Sequence, residues 1–139
     1  MTENVKRYVL DSFALFAHLE EEVGAVRVRA VLKDAERARA MAYVSVINLG
    51  ELAYITERER GLSAAQIALN MIEQLPVEVL EATRERVFAA AHIKALHPIS
   101  YADAFVVVAA QELKATILTG DPEFAAVEKV VNIEWLARR

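Results

Sequence analysis

The sequence predicts an α/β domain in which helices cover a central, mainly parallel sheet. Two patterns carry that expectation: short runs of β-forming residues alternate with longer stretches of helical period, and no hairpin turn signal separates them. Length supplies a third observation. A chain of 139 residues is enough to bury a core without staples, and no linker, repeat or low-complexity stretch divides it, so a single domain over 1–139 is expected.

Val5 to Leu10 reads as a buried strand, with Asp11-Ser12 behind it as a helix-start signal. Phe13 to Glu22 follows as an amphipathic helix with Phe13, Leu15, Phe16 and Leu19 inward, and Gly24 breaks it before a second helix reaching about Ala40. On that second helix Arg29, Lys33 and Arg37 recur every four residues and share a face. A solvated face partly neutralised by Asp34 and Glu36 is the simpler reading; an RNA-contacting stripe is the other.

Ala42 to Val46 is a second short strand, and Asn48 to Arg60 is helical up to Gly61. Glu51 stands out there because its helical neighbours Ile47, Asn48, Tyr54 and Ile55 make a largely apolar face, on which a carboxylate needs a partner. Ser63 is placed as the cap of a helix to about Gln74, Pro76 opens a strand to Leu80, and Thr83 caps a helix to about Leu96. Ser100 begins an almost wholly apolar helix with Asp103 at its third position. Ala115 to Leu118 is a strand, Gly120-Asp121-Pro122 turns into a short helical segment, and Val130 to Ile133 is the last strand.

Composition removes several functions. With no cysteine there is no disulfide framework, thiolate metal site or cysteine nucleophile. A net charge of −4 has the wrong sign for holding nucleic acid by bulk electrostatics, so such a role needs a local patch or a bound metal. The apolar share of 55% exceeds the roughly 45–50% of ordinary domains, an excess that a subunit interface absorbs. The longest apolar run, Ala104 to Ala110, falls far short of the ~20 residues that cross a bilayer, and the first residues carry no secretory pattern. A cytoplasmic protein with no membrane partner is therefore expected. His92 and His97 are five apart rather than the four of a helical metal pair, and His18 stands alone. Phosphate loops, nucleophile elbows and dinucleotide fingerprints are absent.

What remains is acidic. Asp11 and Asp121 each have an ordinary reading as helix N-caps, and Ser100-x-x-Asp103 is close to a capping box. Glu51 has no such reading. Three of the four lie where a strand ends or a helix begins, the edge at which open parallel sheets place their sites. Two unit charges about 5 Å apart repel by about 3 kcal/mol at an effective dielectric of ~20, so four converging carboxylates must take up protons or cations. An all-oxygen pocket suits Mg²⁺ or Mn²⁺ rather than zinc.

The chain resembles PIN-domain proteins, and among them the VapC-type toxin ribonucleases of toxin–antitoxin pairs. Tyr8-Val9-Leu10-Asp11-Ser12 is similar to the opening strand-and-aspartate motif, Asn48-Leu49-Gly50-Glu51-Leu52 to the helical glutamate, and Ser100-Tyr101-Ala102-Asp103-Ala104 to the third acidic motif. Ile117-Leu118-Thr119-Gly120-Asp121-Pro122-Glu123-Phe124 is similar to the fourth, and the last two motifs, with their order and spacing, are the specific part. The resemblance implies a three-layer α/β/α domain in which Asp11, Glu51, Asp103 and Asp121 form a metal-binding catalytic pocket, with Thr119 and Ser12 supplying hydroxyls. It also implies an RNA substrate, a homodimer and inhibition by a small antitoxin. The chain departs from the family pattern at Lys114-Ala115, where many members have glycine.

The expected activity is Mg²⁺- or Mn²⁺-dependent endoribonuclease chemistry leaving 5′-phosphate and 3′-hydroxyl ends, with a rise in melting temperature on adding Mn²⁺. The rival readings are a catalytically inactive RNA- or protein-binding module and an RNA-processing nuclease that is not a toxin. A phosphatase using Asp11 as nucleophile would want a second aspartate two residues on, where Phe13 stands.

Overall fold

The structure is a computed structural model and describes residues 5–138; residues 1–4 and 139 lie outside it. Five strands, β1 (Lys6–Leu10), β2 (Ala40–Ser45), β3 (Glu78–Leu80), β4 (Thr116–Thr119) and β5 (Asn132–Trp135), form one sheet in the order β3-β2-β1-β4-β5. Every neighbouring pair is parallel. The α/β fold read from the alternation of patterns is thus present, and β1 sits at the sheet's centre.

Helices α1 (Ser12–Leu19), α2 (Ala25–Glu36), α3 (Val46–Arg60) and α4 (Leu62–Glu73) pack largely on one face of the sheet, and α5 (Arg84–Leu96) and α6 (Tyr101–Leu113) on the other. The period-two alternation of strand side chains divides the core between them. Tyr8 and Leu10 of β1 and Leu118 of β4 join Leu15, Val28, Leu52 and Ile72 on the first face, while Val9 and Ile117 meet Phe105 and Val106 on the second. In α6 every residue from Asp103 to Ala110 is buried, as a helix apolar all round must be. Among the described residues no single helix is long and apolar enough to cross a membrane.

Several boundaries differ from the sequence reading, each for a local reason. The second helix stops at Glu36 rather than near Ala40, because Ala38 takes a left-handed conformation (φ 59°) and β2 begins at Ala40. Arg37 is therefore a C-cap outside the helical stripe. Ser63 lies inside α4 instead of capping it. Gly61, at φ 93°, ends α3 and begins α4 by itself, which only a residue without a Cβ does freely. The last strand falls at Asn132–Trp135, two residues later than expected, where Thr116 to Thr119 find their register partners. Lys114 occupies the position where glycine is common and adopts the left-handed conformation itself (φ 53°, ψ 47°), so the turn is kept with strain.

Candidate acidic site

Asp11 follows directly on β1 and caps α1, its Oδ1 accepting the Ala14 N–H at 2.9 Å. Its Oδ2 accepts the hydroxyl of Thr119, the last residue of β4, so the two central strands are joined by a side-chain hydrogen bond at their carboxyl ends. Asp11 is 1% exposed and Thr119 is fully buried. Burial is the main reason that the Asp11 carboxyl is pushed up to about 7; the Thr119 and Ala14 hydrogen bonds oppose it, and the charges of Asp103 and Asp121 add to it.

The Thr119 hydroxyl oxygen also accepts the Asp121 N–H at 3.0 Å, which sets the turn that carries the second aspartate. Asp121 caps a 3₁₀ segment (Pro122–Val127), its Oδ1 accepting the Glu123 N–H at 2.9 Å, and its side chain is partly exposed. Between them, Gly120 is dictated by packing. A Cβ there would lie 2.3 Å from the Phe13 ring, so only glycine lets α1 close against the turn.

Asp103 enters from the other layer, in the first turn of α6, where its N–H donates to the Ser100 hydroxyl oxygen at 3.1 Å. The residue is only 7% exposed. Its carboxyl is also raised to about 7, chiefly by burial, against the Ser100 hydrogen bond and with added repulsion from Asp121, Glu51 and Glu123. Glu51 comes from α3 and has found the partner its apolar face demanded. The Ser12 hydroxyl donates to Oε1, and the Asn48 amide donates to the same oxygen at 3.4 Å and to the Ser12 oxygen at 3.1 Å.

Asp11 therefore feels the charges of Asp103 and Asp121, and Asp103 those of Asp121, Glu51 and Glu123. Among the described residues, however, no three His, Asp or Glu side chains are gathered as a ready-made metal cage. The capping aspartates keep their caps and the carboxylates respond to one another through space. Two observations bear on whether a divalent cation suits the place. The available donors are carboxylate and hydroxyl oxygens, the set that hard ions prefer, and two buried carboxyls keep their protons to about pH 7 when no cation offsets their charge. The donor chemistry fits such an ion, without a preformed cage.

The remaining candidates lie elsewhere. Arg29 donates to His18 Nδ1 and to the His18 carbonyl and pairs with Glu21, so it braces α1 against α2. Of the site's residues, Asn48 carried no signal of its own in the sequence, and Ser12 appeared only beside Asp11. Their contacts with Glu51 and with each other include separations of 36 and 39 residues, which local pattern does not show.

A parallel α/β sheet with a carboxylate at the end of its central strand and others brought to it by α3, α6 and the β4 turn defines an acidic-pocket α/β protein. The chain belongs to the PIN domain family, whose model matches residues 8–130. No curated protein sequence matches it. Among solved structures it is similar to VapBC of Rickettsia felis bound to a DNA fragment from its promoter, at a TM-score of 0.73 and 16% identity over 94% of this chain and 99% of that one. DNA-bound VapBC of Salmonella typhimurium gives a TM-score of 0.72 at 18% identity over 94% and 98% of the two chains. A sarcin–ricin loop cleaving VapC toxin of Mycobacterium tuberculosis gives 0.64 at 18% identity over 86% and 94%. At these identities the likeness is one of fold, and the fold is that of VapC PIN toxins.

Proposed function

We propose that the protein is a metal-dependent endoribonuclease and the toxin of a toxin–antitoxin pair. The observation that carries this reading is the pair of buried carboxyls, Asp11 and Asp103, raised together to about 7 at the carboxyl edge of a PIN sheet. A fold that keeps such a pair with no cationic partner among the described residues gives up stability in the way functional sites do. In this reading Asp11, Asp103, Glu51 and Asp121 hold Mg²⁺ or Mn²⁺. The ion, when bound, supplies the positive charge that acidifies water and offsets the charge developing on the scissile phosphate.

The chain's own residues set the geometry. Thr119 fixes Asp11 through its hydroxyl and fixes the Asp121 turn through its oxygen, so one buried side chain orients two acidic groups. Ser12 holds Glu51 by Oε1. The Ser100 cap places Asp103 in the first turn of a helix whose residues from Asp103 to Ala110 are all buried, which fixes the backbone that carries the carboxyl. No histidine stands among these residues, so the imidazole pair that runs the 2′-hydroxyl route in histidine ribonucleases is not part of this site, and the end-group chemistry below separates the two routes.

Partner surfaces support the toxin reading. A groove between α1, α3 and α4 is lined by Phe16, Leu19, Ala64, Ile67 and Met71, and Ile67 and Met71 are 62% and 48% exposed. It suits the apolar side of an antitoxin segment. Phe88 and Leu96 on α5 give a second exposed apolar face, suited to a homodimer.

The test is incubation of purified protein with RNA in Mn²⁺ or in chelator. Cleavage in Mn²⁺ alone, leaving 5′-phosphate and 3′-hydroxyl ends and abolished by Asp103→Asn in a folded protein, is the expected result. Metal-independent cleavage, cyclic phosphate ends, or full activity in the variant refutes the assignment. Failure to cleave any RNA, with antitoxin binding retained, favours the inactive binding module.

A further inference from the structure

We infer that Asn48 is a positioning residue for Glu51, acting on the acidic site only through Glu51 and Ser12. The inference rests on the nuclease reading above for its meaning, but its geometry stands by itself. Asn48 lies three residues before Glu51 on α3, hence on the same helical face, and is completely buried. Its Nδ2 donates to Ser12 Oγ at 3.1 Å and to Glu51 Oε1 at 3.4 Å, and Ser12 Oγ donates to that same Oε1.

Direction in this network is fixed. The hydroxyl hydrogen of Ser12 is committed to Glu51, so Ser12 receives from the amide. Turning the amide over would set Asn48 Oδ1 against Glu51 Oε1, two acceptors facing each other. The cost of the observed orientation is visible on the other side. Asn48 Oδ1 is buried and finds no hydrogen-bond partner among the described residues.

For stability alone asparagine is a poor residue here. An apolar side chain of the same branched shape would occupy the position without an orphan carbonyl, whose burial is unfavourable. What asparagine provides is a nitrogen with two hydrogens that reaches both Ser12 and Glu51, which leucine does not. The result is a glutamate pinned by Oε1, with no hydrogen bond to Oε2 among the described residues. A long side chain that otherwise samples several rotamers is thus presented to the site in one of them.

The test compares Asn48→Leu, Ser12→Ala and their combination in the full chain. Asn48→Leu is expected to melt at or above the wild-type temperature in chelator, to lower kcat by about 10–100-fold with KM changed less than about two-fold, and to raise the Mn²⁺ concentration at half-maximal thermal shift by about ten-fold. The double variant loses no more than the worse single one, and Asn48→Leu costs nothing further in a Glu51→Gln background. In the metal-free protein without RNA, the Asn48 side-chain amide resonances move on Ser12→Ala and on Glu51→Gln. Losses that multiply, a loss of kcat that tracks a lowered melting temperature, or amide resonances indifferent to both substitutions overturn the inference. Should the wild-type protein cleave no RNA, the nuclease reading fails, while the resonances and the Mn²⁺ titration still decide whether Asn48 positions Glu51.

Discussion

Raising the pH destabilises the protein when divalent cations are withheld, and the effect is traceable to two residues. Asp11 and Asp103 are each moved from an ordinary 3.8 to about 7 by burial. Their native-state affinity for protons exceeds that of the unfolded chain, so the associated stability is complete below about pH 4 and is lost as the pH climbs through about 7. At face value, the Asp11 shift corresponds to about 4 kcal/mol. Relaxation and water entry around an ionised group reduce this to roughly 2 kcal/mol for Asp11 and about 1 kcal/mol for the less enclosed Asp103. A chain of 139 residues unfolds with an entropy near ~0.3 kcal/mol/K, so about 3 kcal/mol lowers the melting temperature by about 10 °C. The assay is thermal denaturation followed by circular dichroism from pH 4 to 8.5 in chelator, because the stability falls across the whole interval between the unfolded and the folded proton affinities. His18, whose proton affinity is lowered by burial and by Arg29, acts in the opposite sense over this range, so the Asp11→Asn/Asp103→Asn double variant is the reference. Mn²⁺ at a hundred times its dissociation constant restores about 2.7 kcal/mol at pH 8. A melting temperature flat or rising with pH in the wild type, or an equal fall in the double variant, refutes the reasoning.

Other substitutions test the supports of the site. Thr119→Val keeps the volume but leaves Asp11 Oδ2 and the Asp121 N–H without partners, for a loss of about 1–3 kcal/mol in a urea melt together with reduced RNA cleavage. Gly120→Ala pushes a methyl group into the Phe13 ring and destabilises by about 1–3 kcal/mol, most of which returns when Phe13→Leu is added. Lys114→Gly relieves a left-handed lysine and raises stability by about 0.5–1 kcal/mol, read as a higher denaturation midpoint with unchanged cleavage.

The sequence made the acidic residues legible to different degrees. Asp11, Asp103 and Asp121 were visible because each begins a helical segment directly after a strand or a cap, and the structure keeps every one of those caps. Glu51 was visible as an unexplained carboxylate on an apolar face, yet its partner Ser12 lies 39 residues away and follows from no local rule. Periodicity placed α6 well because eight successive buried residues leave little ambiguity. It misplaced β5 because that edge strand is mostly half-exposed and its limits come from pairing with β4. The Ser63 cap failed for a different reason: serine is a good cap anywhere, but one glycine with a positive φ already served both helices. How near the carboxylates come to one another is a property of sheet order, which the order of motifs along the chain does not contain.

The hydrogen bond between Asp11 and Thr119 joins residues 108 positions apart across the two strands that meet at the middle of the sheet. During synthesis at about 5–20 residues per second, Thr119 follows Asp11 by roughly 5–20 s. Throughout that interval the growing chain has the first carboxylate but neither the hydroxyl that orients it nor the turn that bears Asp121. An unfinished polypeptide therefore has no assembled acidic site until β4 and its turn have been made.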